Sequence, residues 1–319
     1  MGRQRMNPTT LLTGSSGFIG TGIRSALLNA GHSTRVLVRA PSVGAQNPPA
    51  LVTFQGDITD ETGLLPALNG VSTIVHAASY IGENPEMQRR VNVDGTRKLV
   101  KAADHQQVQR LLYVSTFGVY GGNYAAGAAE AQIDPLPRSS LSWSRREAEL
   151  IVLAHGGTVI RPALVYGRGD RWVIPPLVTA VLAHAVWFNE GQQLVSAIDR
   201  DTLGKLIVAL IGAPQHEGVF HAARPAPVPI RSLVQPVIEQ LGRSIPTRSV
   251  TTSQAKRMLE AAGLDRSKIE MISQDSWIDS SKIWGVTGLR EPNPLVIYQP
   301  ADVDDYASLL VGSAETPVR

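Results

Sequence analysis

The sequence predicts an α/β protein built on a doubly wound parallel sheet, and two observations carry this prediction. An apolar run at residues 11–12 leads directly into three glycines spaced by three, Gly14, Gly17 and Gly20. This pattern is typical of a strand, a tight turn and the start of a helix. In addition, short apolar runs alternate with longer helical stretches through the first half of the chain. Such alternation is typical of a parallel sheet with helices on both faces.

The segment at residues 13–20 predicts a dinucleotide site of the Rossmann type. The first glycine permits a sharp turn, the second lets the backbone approach a pyrophosphate, and the third lets the helix pack against the strand. The N–H groups at the start of the helix attract phosphates. The helix has one apolar face, formed by Ile19, Ile23, Ala26 and Leu27. The residues expected to contact the dinucleotide here are Gly14, Ser16, Gly17, Phe18 and Ile19.

The second predicted strand, at residues 33–39, ends about twenty residues after the glycines, where NAD-dependent enzymes place a carboxylate for the ribose 2′-hydroxyl. This chain has Arg39 at that position. A guanidinium pairs with a 2′-phosphate through two charge-assisted hydrogen bonds, whereas a carboxylate repels it. The sequence therefore predicts NADP(H) as the cofactor. The alternative interpretation of Arg39 is a solvent-exposed arginine at the end of a strand.

The remaining elements continue the alternation. Strands are predicted at residues 51–54, 73–77, 110–116 and 158–161, and helices at residues 86–104 and 140–155. Further along, the pattern predicts a helix at residues 174–187, a strand at 194–198 and a helix at 202–211. We expect a dinucleotide-binding domain at residues 7–165, to which later segments return, and a smaller C-terminal α/β lobe at residues 166–319 that mainly binds substrate. The long loop at residues 121–137 is expected to help shape the pocket.

The composition limits the possible functions. The chain has 319 residues, 43% of them hydrophobic, no cysteine and a net charge of +3 at pH 7. The lack of cysteine excludes disulfides, thiol nucleophiles and cysteine metal sites, and the seven histidines lack the spacing of metal ligands. No basic segment interleaves with aromatic residues, so we expect no nucleic-acid partner. No apolar run is long enough to span a membrane, and we expect a cytoplasmic monomer or homodimer.

Several motifs, in order along the chain, together resemble the extended short-chain dehydrogenase/reductase family, which includes sugar-nucleotide epimerases, dehydratases and ketoreductases. Residues 13–20 match its TGxxGFIG motif, and residues 91–96 (VNVDGT) contain its structural asparagine. Residues 114–121 (VSTFGVYG) resemble the strand with the active-site Ser or Thr, and residues 161–167 (RPALVYG) the segment that contacts nicotinamide. The resemblance covers nearly the whole chain and implies oxidation or reduction of a substrate with a nicotinamide cofactor.

The resemblance also implies site residues. Asp57 and Ile58 match the pair that brackets adenine, and Thr116, beside Ser115, takes the place of the catalytic hydroxyl. The further implied cofactor residues are Ala77, Ala78, Ser79, Asn92, Arg145, Pro162, Ala163 and Val165. The expected substrate contacts are Tyr80, Phe117, Tyr120, Leu141 and Tyr166. For Tyr120 and Tyr166, packing is the alternative interpretation.

One motif departs from the family. Its YxxxK pair, which usually continues as YxxSKxxxE, corresponds to residues 141–149 (LSWSRREAE), so Leu141 stands at the tyrosine and Arg145 at the lysine. The tyrosine normally supplies the proton for the alkoxide that hydride transfer produces. Leucine supplies none, and arginine keeps its proton at neutral pH. We expect Arg145 to hold the nicotinamide ribose and stabilise developing negative charge, and Thr116 to orient the substrate.

Three proton sources stay open: an ordered water, a displaced tyrosine (Tyr120, Tyr124 or Tyr166), or an acidic hydroxyl on an aromatic ring beside the ketone. We favour the last source. It predicts an NADPH-dependent ketoreductase whose small-molecule substrate is a polycyclic aromatic ketone, for which the resemblance implies an angucyclinone-type polyketide. A catalytically inactive NADPH-binding sensor is the second hypothesis. The third is a sugar-nucleotide epimerase or dehydratase, and Leu141 argues against it because it cannot deprotonate a sugar hydroxyl.

Overall fold

The computed structural model describes residues 9–40, 48–122, 126–214, 216–251, 253–254, 257, 274–291 and 297–314. Seven strands form one sheet: β1 (Thr9–Thr13), β2 (Ser33–Val38), β3 (Leu51–Gln55), β4 (Thr73–His76), β5 (Arg110–Val114), β6 (Thr158–Pro162) and β11 (Gly218–Ala222). Tyr124, one of the displaced tyrosines considered above, lies outside the described residues, as do residues 7 and 8 of the predicted first domain.

The strand order across this sheet is β11-β6-β5-β4-β1-β2-β3, and every neighbouring pair is parallel. In the middle of the sheet, Leu12 of β1 lies between Val36 of β2 and Val75 of β4. The order reverses between β1 and β4, and a crevice forms at the carboxyl ends of the strands at such a point. The doubly wound Rossmann fold predicted from the sequence is confirmed.

Helices cover both faces of the sheet and complete the second lobe. They are α1 (Phe18–Asn29), α2 (Glu61–Leu68), α3 (Pro85–Gln88), α4 (Thr96–His105), α5 (Ser140–Ala154), α6 (Ile174–His184), α7 (Arg200–Gly212), α8 (Ile230–Gln240), α9 (Ser281–Thr287) and α10 (Pro300–Ala314). Between α3 and α4, Arg89–Gly95 forms a π-helical turn. The helix predicted at residues 86–104 is therefore divided into three parts. Such turns are frequent at functional sites.

The central strands are continuous apolar runs because both faces of the sheet are covered. Leu11 and Leu12 of β1 are fully buried in separate core clusters on the two faces. On one face, α1 packs against α7 at two glycines, Gly22 and Gly204. A Cβ on Gly204 would lie 2.7 Å from the Gly22 carbonyl oxygen, so larger residues would force the helices apart. This contact packs a helix from the second half of the chain onto the first sheet.

In the part of the chain that the structure describes, the smaller lobe is built from short strand pairs and three helices. The pairs in the described residues are β7 (Leu164–Tyr166) with β10 (Ala197–Asp199), β8 (Val186–Phe188) with β13 (Arg248–Val250), and β9 (Leu194–Val195) with β12 (Val228–Pro229). Helices α6, α8 and α10 pack around a core that includes Tyr166, Trp187 and Tyr306. β11 and α9 extend the first sheet and its covering layer, although they come late in the chain.

Two predicted elements of this lobe differ from the structure. The helix predicted at residues 174–187 ends at His184, because Ala185 has a φ of 50° and the chain turns into β8. The strand predicted at residues 194–198 is divided into β9 and β10. Between them, Ser196 hydrogen-bonds to the backbone of Ser276 and Ile278, a segment distant in sequence. The local sequence patterns of these two segments do not indicate where the chain turns or which distant segment it pairs with.

Candidate active site

The turn after β1 has the geometry of a phosphate-binding turn. Gly14 has a φ of +73°, and a Cβ there would lie 2.5 Å from the Ala78 amide nitrogen. A Cβ on Gly20 would lie 1.9 Å from the Gly14 carbonyl oxygen, so α1 packs directly against the turn. Gly17 is less crowded: a Cβ there would meet only the Gly14 carbonyl oxygen, at 3.3 Å. The start of α1 therefore fits the phosphates of a dinucleotide.

A cleft of about 380 Å³ runs from this turn along the carboxyl ends of β1 to β4. Ten of the predicted site residues line it: Gly14, Ser16, Gly17, Arg39, Asp57, Ile58, Ala77, Ala78, Ser79 and Tyr80. Among the lining residues that the sequence reasoning missed are Met87, Arg90 and Val91, from α3 and the π-helical turn. Val91 opens the VNVDGT motif, whereas nothing local in the sequence marks Met87 or Arg90 as a ligand contact.

The other predicted cofactor residues do not line this cleft. Phe18 and Ile19 pack against the apolar core below α1, and the Phe18 ring centroid lies 6.0 Å from that of the exposed Trp172. Pro162, Ala163 and Val165 follow along β6 and β7. Of these three, Ala163 is half-buried, and its amide donates a hydrogen bond to the Ala222 carbonyl oxygen at 3.0 Å.

Asn92 is buried in the π-helical turn and fixes the segment that follows β4. Its side-chain oxygen accepts hydrogen bonds from Ser79 Oγ at 3.1 Å and Tyr80 N at 2.8 Å. Its amide nitrogen donates to Tyr80 O at 3.0 Å and to Ser144 Oγ at 2.9 Å. These four bonds satisfy the amide within the protein. Asn92 therefore positions the segment after β4, and the direct cofactor contact expected from the sequence stays a prediction.

The two predicted catalytic hydroxyls follow β5, which ends at Val114, two residues earlier than predicted. Ser115 is buried, and its hydroxyl donates a hydrogen bond to Glu149 Oε1 at 2.5 Å. Thr116 is half-buried, and its Oγ1 accepts from Gly118 N at 3.1 Å. A hydroxyl that accepts still has its own hydrogen to donate. Thr116 is thus the more accessible of the two hydroxyls, and Ser115 is held within the protein.

Helix α5 carries Leu141 and Arg145 on successive turns and contains neither tyrosine nor lysine. Arg145 is buried, and its Nη2 donates to the Val114 carbonyl oxygen at the end of β5. Its guanidinium carbon lies 5.1 Å from the ring centroid of Tyr113. Its Nε has no hydrogen-bond partner in the described part of the chain. The structure therefore holds a buried cation at the end of β5, with one donor unused.

A buried chain of hydrogen bonds lies beneath the cleft. His76 Nδ1 lies 2.7 Å from Thr13 Oγ1, and its Nε2 lies 2.9 Å from Thr96 Oγ1. Because the Thr96 hydroxyl donates to the Asn92 carbonyl oxygen at 2.5 Å, the His76 Nε2 is assigned as the protonated nitrogen. Burial, and then the positive charge of Arg145, lower the pKa of His76 to about 3. His76 is therefore a neutral link between β1, β4 and α4.

A second buried network surrounds Glu149. Its carboxylate accepts from Arg161 Nε at 2.9 Å and Nη2 at 2.7 Å. Arg161 Nη1 donates to the Tyr120 hydroxyl at 2.6 Å, and this hydroxyl lies 2.6 Å from His221 Nε2. Tyr120 is fully buried, and burial raises its pKa. The structure thus shows Tyr120 hydrogen-bonded inside the protein, as the packing interpretation expects, and its role as substrate contact or displaced acid stays a prediction.

Two further aromatic residues expected at the substrate pack inside the protein. Tyr166 is fully buried in the second lobe, where its hydroxyl accepts from Arg224 Nη1 at 3.1 Å and its ring lies 5.3 Å from Tyr298. Burial raises the pKa of Tyr166 to about 12. Phe117 is 9% exposed and packs against Tyr120, with 5.8 Å between their ring centroids. The buried position of Tyr166 agrees with packing, the alternative interpretation stated above. Its role as substrate contact or displaced acid stays a prediction.

Over the described ranges, no three His, Cys, Asp or Glu side chains are grouped so that they could hold a metal ion. A separate observation is that none of the described helices combines the length and the apolar character needed to cross a membrane.

The family of the chain follows from comparison with known proteins. Residues 11–201, which include the whole cleft and α5, match the 3-beta hydroxysteroid dehydrogenase/isomerase family. The chain belongs to this family. As a member, it is an oxidoreductase of the extended short-chain dehydrogenase/reductase type, which acts on hydroxyl or keto groups with a nicotinamide dinucleotide. The residues around the glycine turn and the cleft fit such a cofactor.

Two curated relatives are similar over most of their length. A 3 beta-hydroxysteroid dehydrogenase/Delta 5-->4-isomerase of Mycobacterium tuberculosis is 31% identical over 270 residues, 76% of this chain and 71% of the relative. A 4-hydroxy-2-methyl-3-oxo-4-farnesyl-3,4-dihydroquinoline-1-oxide ketoreductase of Stigmatella aurantiaca is 30% identical over 73% of both chains.

Among solved structures, the dTDP-glucose 4,6-dehydratase DesIV of Streptomyces venezuelae, with NAD bound, is similar with a TM-score of 0.71 at 23% identity. The likeness covers 94% of this chain and 97% of that one. A UDP-glucose 4-epimerase of Thermotoga maritima has a TM-score of 0.71 at 18% identity, over 96% of this chain and 100% of that one. At these identities the likeness shows the fold alone.

Proposed function

We propose that this protein is an NADPH-dependent ketoreductase that reduces a carbonyl group of a polycyclic aromatic ketone, such as an angucyclinone-type polyketide in antibiotic biosynthesis, without a tyrosine acid. Helix α5 is the observation that carries the proposal. Its Arg145 donates a hydrogen bond to the carbonyl of Val114, two residues before Thr116. The sequence resemblance aligns its Leu141 with the tyrosine of the family. The chain thus keeps the groups that orient a reaction and lacks the usual proton donor.

The choice of NADPH rests on Arg39. This residue follows β2, is exposed and lines the dinucleotide cleft. The end of β2 is where the ribose 2′ position of a bound dinucleotide lies in this fold. A guanidinium there favours a 2′-phosphate over a free hydroxyl. Asp57, the acidic residue among those that line the cleft, follows β3, and its Oδ1 accepts a hydrogen bond from Thr59 N at 2.8 Å.

NADPH, when held in the cleft, would supply a hydride to the carbonyl carbon of the substrate. The C=O π electrons move to oxygen, and the resulting alkoxide needs one proton. Thr116 is placed to orient the carbonyl with a hydrogen bond, and the Arg145 cation stabilises the developing negative charge. Neither residue is an acid at neutral pH. A phenolic hydroxyl beside the ketone transfers its proton to the alkoxide and is left as a phenolate, which water then reprotonates.

The substrate class is supported by the names of two relatives. One is a hydroxysteroid dehydrogenase/isomerase, and the other is a ketoreductase of a 3-oxo-dihydroquinoline. Both names describe fused-ring compounds in which a hydroxyl or keto group on a ring is the reacting group. A polycyclic aromatic ketone shares with them a fused-ring skeleton that carries a keto group. The sugar-nucleotide alternative needs a base at the tyrosine position, where this chain has Leu141.

The test is NADPH oxidation by the full chain with a panel of polycyclic aromatic ketones, each paired with an analogue that lacks the hydroxyl beside the carbonyl. We expect turnover of the hydroxylated members and little of their partners. Equal turnover of both would overturn the proton source and point to water or a displaced tyrosine. Tight NADPH binding with no turnover of any ketone would overturn the ketoreductase and support the sensor.

A further inference from the structure

We infer that Arg90 is a second determinant of cofactor choice, which binds the 2′-phosphate of NADP(H) together with Arg39. Both residues line the dinucleotide cleft, although they come from different elements. Arg39 follows β2, and Arg90 lies in the π-helical turn Arg89–Gly95. The inference rests on the proposed NADPH preference and adds to it a residue outside the glycine and strand motifs.

The fold brings the π-helical turn toward the adenosine end of the cleft. Gly95 makes this approach possible, because a Cβ there would lie 2.9 Å from the side chain of Ile58. Ile58 follows β3, and β3 is the neighbour of β2, the strand that ends before Arg39. The turn that carries Arg90 is thus packed against the same pair of strand ends that presents Arg39.

The turn is also held firmly. Asn92, two residues after Arg90, makes its four side-chain hydrogen bonds to Ser79, Tyr80 and Ser144. These bonds fix the turn to the end of β4 and to α5. A cation on a fixed backbone loses less conformational entropy when it binds an anion than one on a mobile loop. The backbone at Arg90 is therefore held in place before the cofactor binds.

The charges around Arg90 leave it available for a ligand. Three cations on α4 already have partners: Arg97 with Asp94 at 2.7 Å, Lys101 with Glu61 at 3.6 Å, and Lys98 with the Thr59 carbonyl oxygen at 2.7 Å. Arg39 and Arg90 are exposed, and neither forms an ion pair with another described residue. Against these two cations, the cleft is lined by one carboxylate, that of Asp57.

A phosphate suits this arrangement. A phosphomonoester carries close to two negative charges at neutral pH and has three acceptor oxygens. Two guanidinium groups from different elements can share these oxygens through charge-assisted hydrogen bonds. A ribose 2′-hydroxyl offers no charge for either group. The pair therefore favours NADP(H) over NAD(H) more strongly than Arg39 would alone.

The experiment measures equilibrium binding of NADP⁺ and NAD⁺ to the full chain by calorimetry, without any substrate. The variants are Arg39→Ala, Arg90→Ala, the double variant, and Arg97→Ala as the matched control from the neighbouring helix. We expect Arg90→Ala to weaken NADP⁺ binding about 10- to 100-fold and NAD⁺ binding less than about twofold. Arg97→Ala should change neither affinity. The same loss is expected with 2′,5′-ADP, a probe that has the 2′-phosphate and no nicotinamide.

The outcomes separate this inference from the proposal on which it rests. If the unmodified chain binds NAD⁺ as tightly as NADP⁺, the proposed NADPH preference fails and the role of Arg90 fails with it. If the chain prefers NADP⁺ and Arg90→Ala weakens both dinucleotides equally or neither of them, Arg90 does not bind the phosphate, and the proposed function stands without it. A selective loss in Arg90→Ala that is absent from Arg97→Ala supports the inference.

Discussion

Arg161 and Glu149 form a buried ion pair in which both carboxylate oxygens accept hydrogen bonds from the guanidinium, at 2.9 and 2.7 Å. The pair joins β6 to α5. Ser115 donates a further hydrogen bond to the same carboxylate, so the end of β5 is fixed to both elements. The position of Thr116, the next residue, therefore depends on side chains that do not line the dinucleotide cleft.

The Glu149→Gln substitution should lower the free energy of unfolding by about 3 to 5 kcal/mol, because it leaves the Arg161 guanidinium buried without a counter-charge. Urea unfolding at pH 7 measures the change. Asp94→Asn is the control, since it removes an exposed partner of Arg97 and should change stability by less than about 1 kcal/mol. Equal losses in the two variants would show that the buried pair has no special role.

Stability should fall as the pH falls from about 6.5 toward 3, and His76 should contribute to this loss. Burial lowers its pKa to about 3 in the folded chain, so between these pH values the unfolded chain binds more protons than the folded one. One such group changes the unfolding free energy by at most about 1.4 kcal/mol per pH unit. Urea unfolding at pH 7.5, 6.5 and 5.5 gives the unfolding free energy as a function of pH. This free energy should change less steeply with pH in His76→Gln than in the unmodified chain. The same substitution at the exposed His105 is the control, and identical slopes in both variants would contradict the assignment.

The glycine turn allows a comparison at matched backbone angles. Gly14 and Gly31 have φ of +73° and +74°, but a Cβ on Gly31 would meet nothing within 4 Å, whereas one on Gly14 would meet the backbone of Ala77 and Ala78. We expect Gly31→Ala to lower stability by about 1 to 2 kcal/mol through its φ alone, with dinucleotide binding unchanged. Gly14→Ala should be less stable than Gly31→Ala and should lose dinucleotide binding. Calorimetric titration with NADP⁺ and urea unfolding measure both effects. Normal binding by Gly14→Ala would refute this account of the turn.

Substitutions of the two hydroxyl residues after β5 should have different effects, one mainly on stability and the other mainly on catalysis. Ser115→Ala removes a buried hydrogen bond to Glu149 and should lower the unfolding free energy by about 1 to 3 kcal/mol. Thr116→Ala should lower kcat for ketone reduction by about 100-fold with a smaller change in stability, if its hydroxyl orients the carbonyl. Thr116→Ser keeps the hydroxyl and should restore most of the activity. A Thr116→Ser variant as slow as Thr116→Ala would assign the residue a packing role.

Most of the cofactor side of the site could be predicted from the sequence. The glycine turn, Arg39, the Asp57–Ile58 pair and the residues after β4 were all expected there, and all of them line one cleft. They were predictable because each lies directly after a strand of a parallel sheet, and the carboxyl ends of such strands meet at one edge. Arg90 was not predicted, because an arginine within a helical stretch gives no local signal that distinguishes a ligand contact from a solvent-exposed side chain.

For the substrate side, two of the expected contacts lie inside the protein. Tyr120 and Tyr166 lie in motifs beside the catalytic strand, yet both side chains are buried in hydrogen-bonded cores. An aromatic residue near the end of a strand is compatible with either position. The partners that decide it, His221 for Tyr120 and Arg224 for Tyr166, lie 101 and 58 residues away. No local pattern contains such pairings.

The sequence by itself determined the doubly wound sheet, the phosphate-binding turn and the absence of tyrosine from α5, because periodicity, glycine spacing and residue type are local properties. The tertiary structure alone decided which side chains reach the cleft and which are held inside. Asn92 became a positioning residue, Ser115 became bound to Glu149, and Arg90 came to line the same cleft as Arg39. Each of these results depends on the approach of segments distant in the chain, which packing and buried hydrogen bonds fix only when the whole fold has formed.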